Sequence, residues 1–337
     1  EEDGSDRMRL EWAYDGQDAT AIPAENFFTL ESETATGISV DGAAGDDTIS
    51  GYHGDDYLSG GDGNDILKGN VGNDTIQGDA GDDQIFGGEG DDLISGGDGV
   101  DSIFGNAGGD DISAGDGADV VYGGTGSDQI SGDDGADEIY GGDGNDTIYG
   151  GDDDDVITGG AGDDAIVGGL GQDISIYPGN QADYTFEAST DGLRVTVTEV
   201  GTGDKDVVRG VETLRFSDGD ITVSHDGVLN RLVLTGTTGI DDITIVGSNP
   251  VTVRGIDGAD IINGGEGGDL LEGAAGGDDI SGGEGDDTLE GGSGDDTLEG
   301  GSGDDTVYGG EGTDIITGGA GDDTIIGSNS LTITSVS

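Results

Sequence analysis

Cysteine is absent from the 337 residues, so no disulfide framework holds this chain together and an extracellular home needs some other cross-link. Basic residues are scarce: nine Lys and Arg face 76 Asp and Glu, for a formal net charge of −67. Nucleic acid and anionic membrane surfaces would repel such a chain, which leaves multivalent cations as its natural partners. No apolar run is long enough to span a bilayer, so no transmembrane segment is expected. The chain opens Glu1, Glu2, Asp3 without an initiator Met, a charged n-region or an apolar h-region. That opening suits a processed or excised piece, or export without an N-terminal signal. H-E-x-x-H, G-x-S-x-G and P-loop patterns are missing, and the two histidines, His53 and His225, lie far apart in sequence. No enzyme activity is expected. With aromatics at only 5%, composition alone would point to disorder.

What is present overturns that expectation. Glycine numbers 76 and recurs in phase with Asp. Residues 42–176 divide into fifteen nonapeptides without an insertion or deletion; residues 60–68 (GGDGNDILK) and 141–149 (GGDGNDTIY) are typical. The sixth position is Asp in all fifteen: Asp47, Asp56, Asp65, Asp74, Asp83, Asp92, Asp101, Asp110, Asp119, Asp128, Asp137, Asp146, Asp155, Asp164 and Asp173. The eighth is aliphatic in fourteen, from Ile49 to Ile166, and fails only at Ser175. Residues 255–326 form eight more nonapeptides, with Asp260, Asp269, Asp278, Asp287, Asp296, Asp305, Asp314 and Asp323 at the sixth position. Their eighth positions are Ile262, Leu271, Ile280, Leu289, Leu298, Val307, Ile316 and Ile325. A disordered acidic tract has no reason to keep such phase.

These residues match the pattern G-G-x-G-x-D-x-U-x, with U a large aliphatic residue. On them the chain resembles the RTX calcium-binding family over 207 of its 337 residues. The resemblance implies a parallel β-roll in which six residues of each repeat form a calcium-binding turn and the last three a short strand. The chemistry of the residues agrees. Glycine permits the positive φ angles and close approach of a tight turn, and Asp supplies hard oxygens, which calcium prefers together with backbone carbonyls. One aliphatic side chain in nine can point inward where two short sheets face each other. Two nonapeptides make one coil, so residue n stacks on residue n+18 at roughly 4.8 Å per coil. Asp47 then lies beside Asp65, and Asp56 beside Asp74.

A metal between such neighbours removes their repulsion. Fifteen repeats give thirteen neighbouring pairs and eight give six, a ceiling of about nineteen calcium ions, which would bring the net charge from −67 toward roughly −29. Ordering nine backbones costs more than one buried Ile or Leu returns, and charge repulsion widens the deficit. Calcium binding is therefore expected to be folding free energy. A chain that stays expanded at low cytosolic calcium can be threaded out and then fold outside. The resemblance implies a type I secretion channel for that export. Only Lys68 of the nine basic residues falls within the repeats, as expected where a cation would compete with metal.

The remaining segments read as follows. Residues 177–235 break the period: residues 182–188 (ADYTFEA) and 193–200 (LRVTVTEV) alternate apolar and polar residues like half-buried strands, with a tight turn at Asp191 and Gly192. With residues 207–219 they resemble the small β-module that follows RTX repeats in secreted bacterial proteins, expected to pack against and cap the first roll. Residues 236–244 look like one stray repeat, set apart from the second block by an insertion containing Pro250. Residues 5–30, with Trp12 and Phe27, resemble the last strands of a protective-antigen-type carbohydrate-binding barrel; a short N-terminal cap fits them equally. Residues 327–337 lose the acids and turn β-prone, as a closing strand, a secretion signal or an edge strand pairing with another subunit would.

The expected fold class is all-β: two parallel β-roll solenoids separated by a small β-module. Gly168 and Gly255 begin repeats 87 residues apart, which is not a multiple of nine, so the blocks should be separate rolls. The expected segments are 1–41 (N-terminal β segment), 42–176 (first roll), 177–235 (β-module), 236–326 (second roll) and 327–337 (terminal strand). The function expected is that of a calcium-dependent extracellular structural or surface protein, such as an adhesin, matrix component or filament or lattice element. The alternative is a calcium-dependent secretion and stability module of a larger secreted protease, lipase or polysaccharide-processing enzyme. An ice- or surface-binding roll ranks last, because the third, fifth and seventh positions mix Asp, Glu, Ala, Ser and Thr. Expected partners are calcium ions, further copies of the chain in a filament or lattice, and cell-surface polysaccharide. The expected location is extracellular or at the cell surface.

Overall fold

The computed structural model describes residues 37–327, with the backbone of Asn26–Thr29 and Leu331–Ser335. Apart from one short 3-10 turn at Gln181–Asp183, the regular elements described are β-strands. No helix among the described residues is long and apolar enough to cross a membrane. Two compact units divide the chain, Glu1–Asp173 and Ile174–Ser337.

In the first unit, successive strands alternate between two parallel sheets. Ile66–Val71, Gln84–Glu89 and Ser102–Ala107 lie in one, and Tyr57–Asp62, Thr75–Ala80 and Leu93–Asp98 in the other. Paired residues in the repeats are eighteen apart: Ile85 sits between Leu67 and Ile103, and Ile94 between Ile76 and Ile112. One coil is therefore two nonapeptides. The aliphatic eighth positions, such as Leu67, Ile76 and Ile85, are wholly buried and form the core in single file.

Strand length differs from what the resemblance implied. Six residues, not three, are strand: positions seven to nine continue into positions one to three of the next repeat. The pairing skips position one, as at Ala114, which is absent from the register joining Ser113 to Ser131 and Gly115 to Asp133. Ala114 is wholly buried there. Position two has a positive φ in every repeat but that of Tyr52; the residues replacing glycine there include Asn70, Asp79, Asn106 and Asp133, types that tolerate φ between 72° and 81°, and also Ala43, Ala274 and Ile256.

The second unit combines the irregular segment with the second roll. Tyr184–Ala188, Arg194–Glu199 and Lys205–Arg209 form an antiparallel meander, and the rings of Tyr177, Tyr184, Phe186 and Phe216 pack together beneath it. Ile174–Ile176, the end of the fifteenth nonapeptide, pairs in parallel with Thr213–Arg215 and belongs to this unit. Thr213–Arg215, Asp220–Asp226 and Arg231–Thr235 follow as antiparallel neighbours. Arg231–Thr235 then pairs in parallel with Val251–Gly258, which starts one sheet of the roll. The module shares a compact unit with the second roll.

The stray repeat joins the roll through an enlarged coil. Asp242 pairs with Ile261 and Leu232 with Val251, nineteen residues apart, before the spacing returns to eighteen at Thr252 and Leu270. Leu331–Ser335 pairs in parallel with Asp314–Ala320 and adds a strand to the other sheet. The carbohydrate-barrel resemblance of residues 5–30 lies outside the described residues except at Asn26–Thr29, which pairs in parallel with Asp47–Ser50.

Candidate metal centre

Position six ends the turn, and its side chain points into the roll. Asp65 is 1% exposed and Asp155 fully buried; of the 23 sequence-predicted Asp residues only Asp323, in the last coil, is half-buried. They form two columns in each roll. Asp47, Asp65, Asp83, Asp101, Asp119, Asp137, Asp155 and Asp173 make one, and Asp56, Asp74, Asp92, Asp110, Asp128, Asp146 and Asp164 its partner. In the second roll the columns are Asp260, Asp278, Asp296 and Asp314, and Asp269, Asp287, Asp305 and Asp323.

A single bond repeats up every column. The backbone N–H of each Asp donates to Oδ1 of the Asp one coil later: Asp47 to Asp65 at 2.7 Å, Asp56 to Asp74 at 2.8 Å, and so on to Asp155 and Asp173 at 3.0 Å. The second roll repeats it from Asp260 to Asp278 at 2.9 Å through Asp305 to Asp323 at 3.1 Å. The sequence-predicted neighbours are therefore adjacent in space.

The second carboxylate oxygen is treated differently. Oδ2 of Asp65, Asp74, Asp83, Asp92, Asp101, Asp110, Asp119, Asp128, Asp137, Asp146 and Asp155 is buried without a hydrogen-bond partner, as is Oδ2 of Asp260, Asp269, Asp278, Asp287, Asp296, Asp305, Asp314 and Asp323. Apart from Asp119, whose repeat begins with Ala114, each lies over the glycine that begins its own repeat. A Cβ at Gly60 would stand 2.2 Å from Asp65 Oδ2, and one at Gly132 2.2 Å from Asp137 Oδ2. Glycine at position one thus makes room for a carboxylate in these repeats; the repeat of Asp119 accommodates Ala114 there, also wholly buried. Asp56 departs from the pattern, since its Oδ2 accepts the Tyr52 N–H at 3.2 Å.

Burial raises the proton affinity of these groups. It pushes Asp83, Asp92, Asp137 and Asp269 up to about 7, and Asp74, Asp101, Asp110, Asp146, Asp155, Asp260, Asp287 and Asp296 up to about 6. Desolvation is the leading cause, opposed by the backbone N–H on Oδ1; in most of them neighbouring Asp charges add to the rise.

Among the described residues, no three His, Cys, Asp or Glu side chains converge as a metal group. An ion in these turns would draw one or two carboxylates from successive coils and the rest of its oxygens from the backbone. Carbonyls do point along the roll: a Cβ on Gly63 would lie 2.4 Å from the Gly45 oxygen of the coil before it. An all-oxygen, strongly acidic donor set fits a hard cation of calcium's kind rather than a softer transition metal.

Position five, which sequence reasoning treated as variable, forms a ladder of its own. Its side chain accepts the N–H of position five one coil later: Asn64 to Asp46 Oδ1 at 3.1 Å, Asn73 to Asp55 at 3.0 Å, Asp304 to Asp286 at 2.9 Å. The frequent Asp and Asn at that position was the available signal. A second missed feature is at position nine, where Phe86, Phe104, Tyr122 and Tyr140 stack with centroids 4.7–5.0 Å apart and Lys68 Nζ lies 5.5 Å from the Phe86 centroid. His53, at the third position of its repeat, is exposed.

Stacked nine-residue half-coils with an internal file of carboxylates define a calcium-binding β-solenoid. The family profile of the RTX calcium-binding nonapeptide repeat, four copies long, matches residues 39–67, 68–103, 104–139, 140–174, 254–289 and 290–325. The chain belongs to that family. No curated protein matches it. Among solved structures, the extracellular lipase LipA from Serratia marcescens aligns at 19% identity over 76% of this chain and 37% of that one, with a TM-score of 0.18. The chain therefore spans little more than a third of that lipase's length.

Proposed function

We propose that the chain is a calcium-dependent structural protein of the extracellular space or cell surface, which folds on binding calcium after export. The supporting observation is the file of buried Oδ2 atoms without partners. A column of like charges one coil apart repels itself, and repeats that contain a single Lys offer no internal remedy. The proposed ligands are the position-six carboxylates from Asp47 to Asp173 and from Asp260 to Asp323, completed by turn carbonyls. Up to about nineteen ions correspond to the thirteen and six Asp-to-Asp steps of the two rolls.

Calcium would supply positive charge between coils and no other chemistry. The chain's own residues do the rest: position-one glycines clear the space, backbone N–H groups aim Oδ1, and aliphatic eighth positions seal the interior. Type I export, residues 42–176 and 236–326 as the two calcium-loaded rolls, and assembly into filaments or a surface lattice against cell-surface polysaccharide belong to the same reading. Circular dichroism in millimolar calcium and in excess EGTA tests the folding step: the β signal should vanish in EGTA, and an unchanged spectrum would sink it. Electron microscopy of the calcium-loaded chain tests the assembly step. Ordered polymers are expected; lone monomers would shift the reading to a secretion and stability module of a larger enzyme.

A further inference from the structure

Each Asp column has a first rung, which lacks a preceding Asp to supply an N–H to Oδ1. Two first rungs are served by main chain. Ile38 N–H donates to Asp56 Oδ1 at 2.7 Å and its carbonyl accepts Tyr57 N–H at 2.8 Å, while Val251 N–H donates to Asp269 Oδ1 at 2.9 Å. In both cases an apolar residue occupies the place of the preceding Asp and lends its peptide group.

The column that begins at Asp241 is started by a side chain. In a regular rung, Asp56 gives its N–H to Asp74 Oδ1 at 2.8 Å and accepts Thr75 N–H on its carbonyl at 2.7 Å. Gln181 reproduces both bonds with its carboxamide: Nε2 donates to Asp241 Oδ1 at 3.1 Å, and Oε1 accepts Asp242 N–H at 2.9 Å. The reverse amide orientation would set two donors face to face at Asp242. From there the ladder proceeds normally, with Asp241 N–H on Asp260 Oδ1 at 3.0 Å and Ile261 N–H on the Asp241 carbonyl at 2.8 Å.

Gln181 is held in place for this task. It is fully buried, its own N–H donates to Asp218 Oδ1 at 2.9 Å, and a Cβ at Gly219 would crowd its Nε2 at 3.2 Å. The rung it meets is also closed on the other side, because Asp241 Oδ2 accepts Thr237 N–H at 2.7 Å. In the next rung, by contrast, Asp260 Oδ2 is buried without a partner.

We infer that Gln181 is the end cap of the second roll: its side-chain amide replaces the peptide group of a missing coil. The module that carries Gln181 is thereby the template on which that roll begins. The cap is independent of calcium.

Hydrogen exchange on the full calcium-loaded chain tests the cap. Gln181→Met keeps the length and volume of the side chain but has no amide. The Asp242 and Ile261 amides should exchange at least about tenfold faster in this variant, while Gln84 and Ser102 in the first unit keep their rates. Loss of protection throughout residues 242–326 with the first unit intact supports the cap in the same way, since Met fills the space. Parental rates at both amides would reduce Gln181 to a space filler and overturn it.

Discussion

Asp65 donates its N–H to Asp83 Oδ1 at 2.7 Å, and the other oxygen of Asp83 is left buried over Gly78, 2.3 Å from where a Cβ would stand. The same Cβ would lie 2.4 Å from the Gly96 carbonyl oxygen, so neither neighbour can give way cheaply. Gly78→Ala should therefore displace the carboxylate, reduce bound calcium and cost about 2–3 kcal/mol in urea melts at fixed calcium. Gly45→Ala is the contrasting case. Nothing lies within 4 Å of its Cβ, but φ is +113°, so a cost of about 1–2 kcal/mol with an unchanged ion count is expected.

Replacing one carboxylate separates ligand chemistry from architecture. In Asp119→Asn the amide oxygen can still accept the Asp101 N–H, now 2.7 Å from Oδ1, while the unpartnered Oδ2 becomes an NH2 group. The fold should persist at high calcium. Isothermal titration should show one or two fewer ions, with a loss of about 1.4 kcal/mol per site when calcium stands at ten times its dissociation constant. An unchanged ion count would remove Asp119 from the ligand set.

Acid should partly replace calcium. Carboxylates that keep their protons up to about pH 6 to 7 in the folded roll, against an ordinary value of 3.8, bind more protons folded than unfolded. Their contribution to the metal-free fold is thus fully present below about pH 4 and is lost as pH rises through 6 to 7. Circular dichroism without calcium should show β content growing as pH falls from 8 to 4. Calcium titrations should weaken over the same window, because protons and metal compete for the same oxygens. A metal-free signal that is flat with pH, or that falls on acidification, would contradict the burial of these groups.

Core and surface contacts should separate cleanly. Ile139 is wholly buried and is one of few apolar side chains in its coil, so Ile139→Ala should cost about 3–5 kcal/mol and open its neighbouring coils first in hydrogen exchange. Phe104 stacks at 5.0 Å between Phe86 and Tyr122 on the outer face. Phe104→Ala should cost only about 1 kcal/mol and leave the ion count as it was.

Much of this was legible because the signals are short-range and repeated. Nine-residue phase, Asp at position six and an aliphatic at position eight together specify coil length and the inward face, and the eighteen-residue pairing of Ile85 with Ile103 follows. The second strand leg beyond position nine was less visible: glycine-rich residues such as those at positions one and two carry little strand signal by themselves. The ladder of stacked coils supplies the hydrogen bonds that make them strand. The enlarged coil at Asp241 was hidden for a related reason. Its extra residue is absorbed before Val251, and only the pairing of Asp242 with Ile261 reveals that the phase is restored.

By itself, then, the sequence determined the repeat unit, its all-β coil and the identity of the acidic columns, since local stereochemistry and periodic burial are written in every copy. Only the tertiary structure decided which oxygen of Asp83 is engaged and which is left bare, and that Gln181 meets Asp241 sixty residues away. Those outcomes depend on where neighbouring coils and nonrepeating segments come to lie, and no period within one segment encodes a contact with another that does not share it.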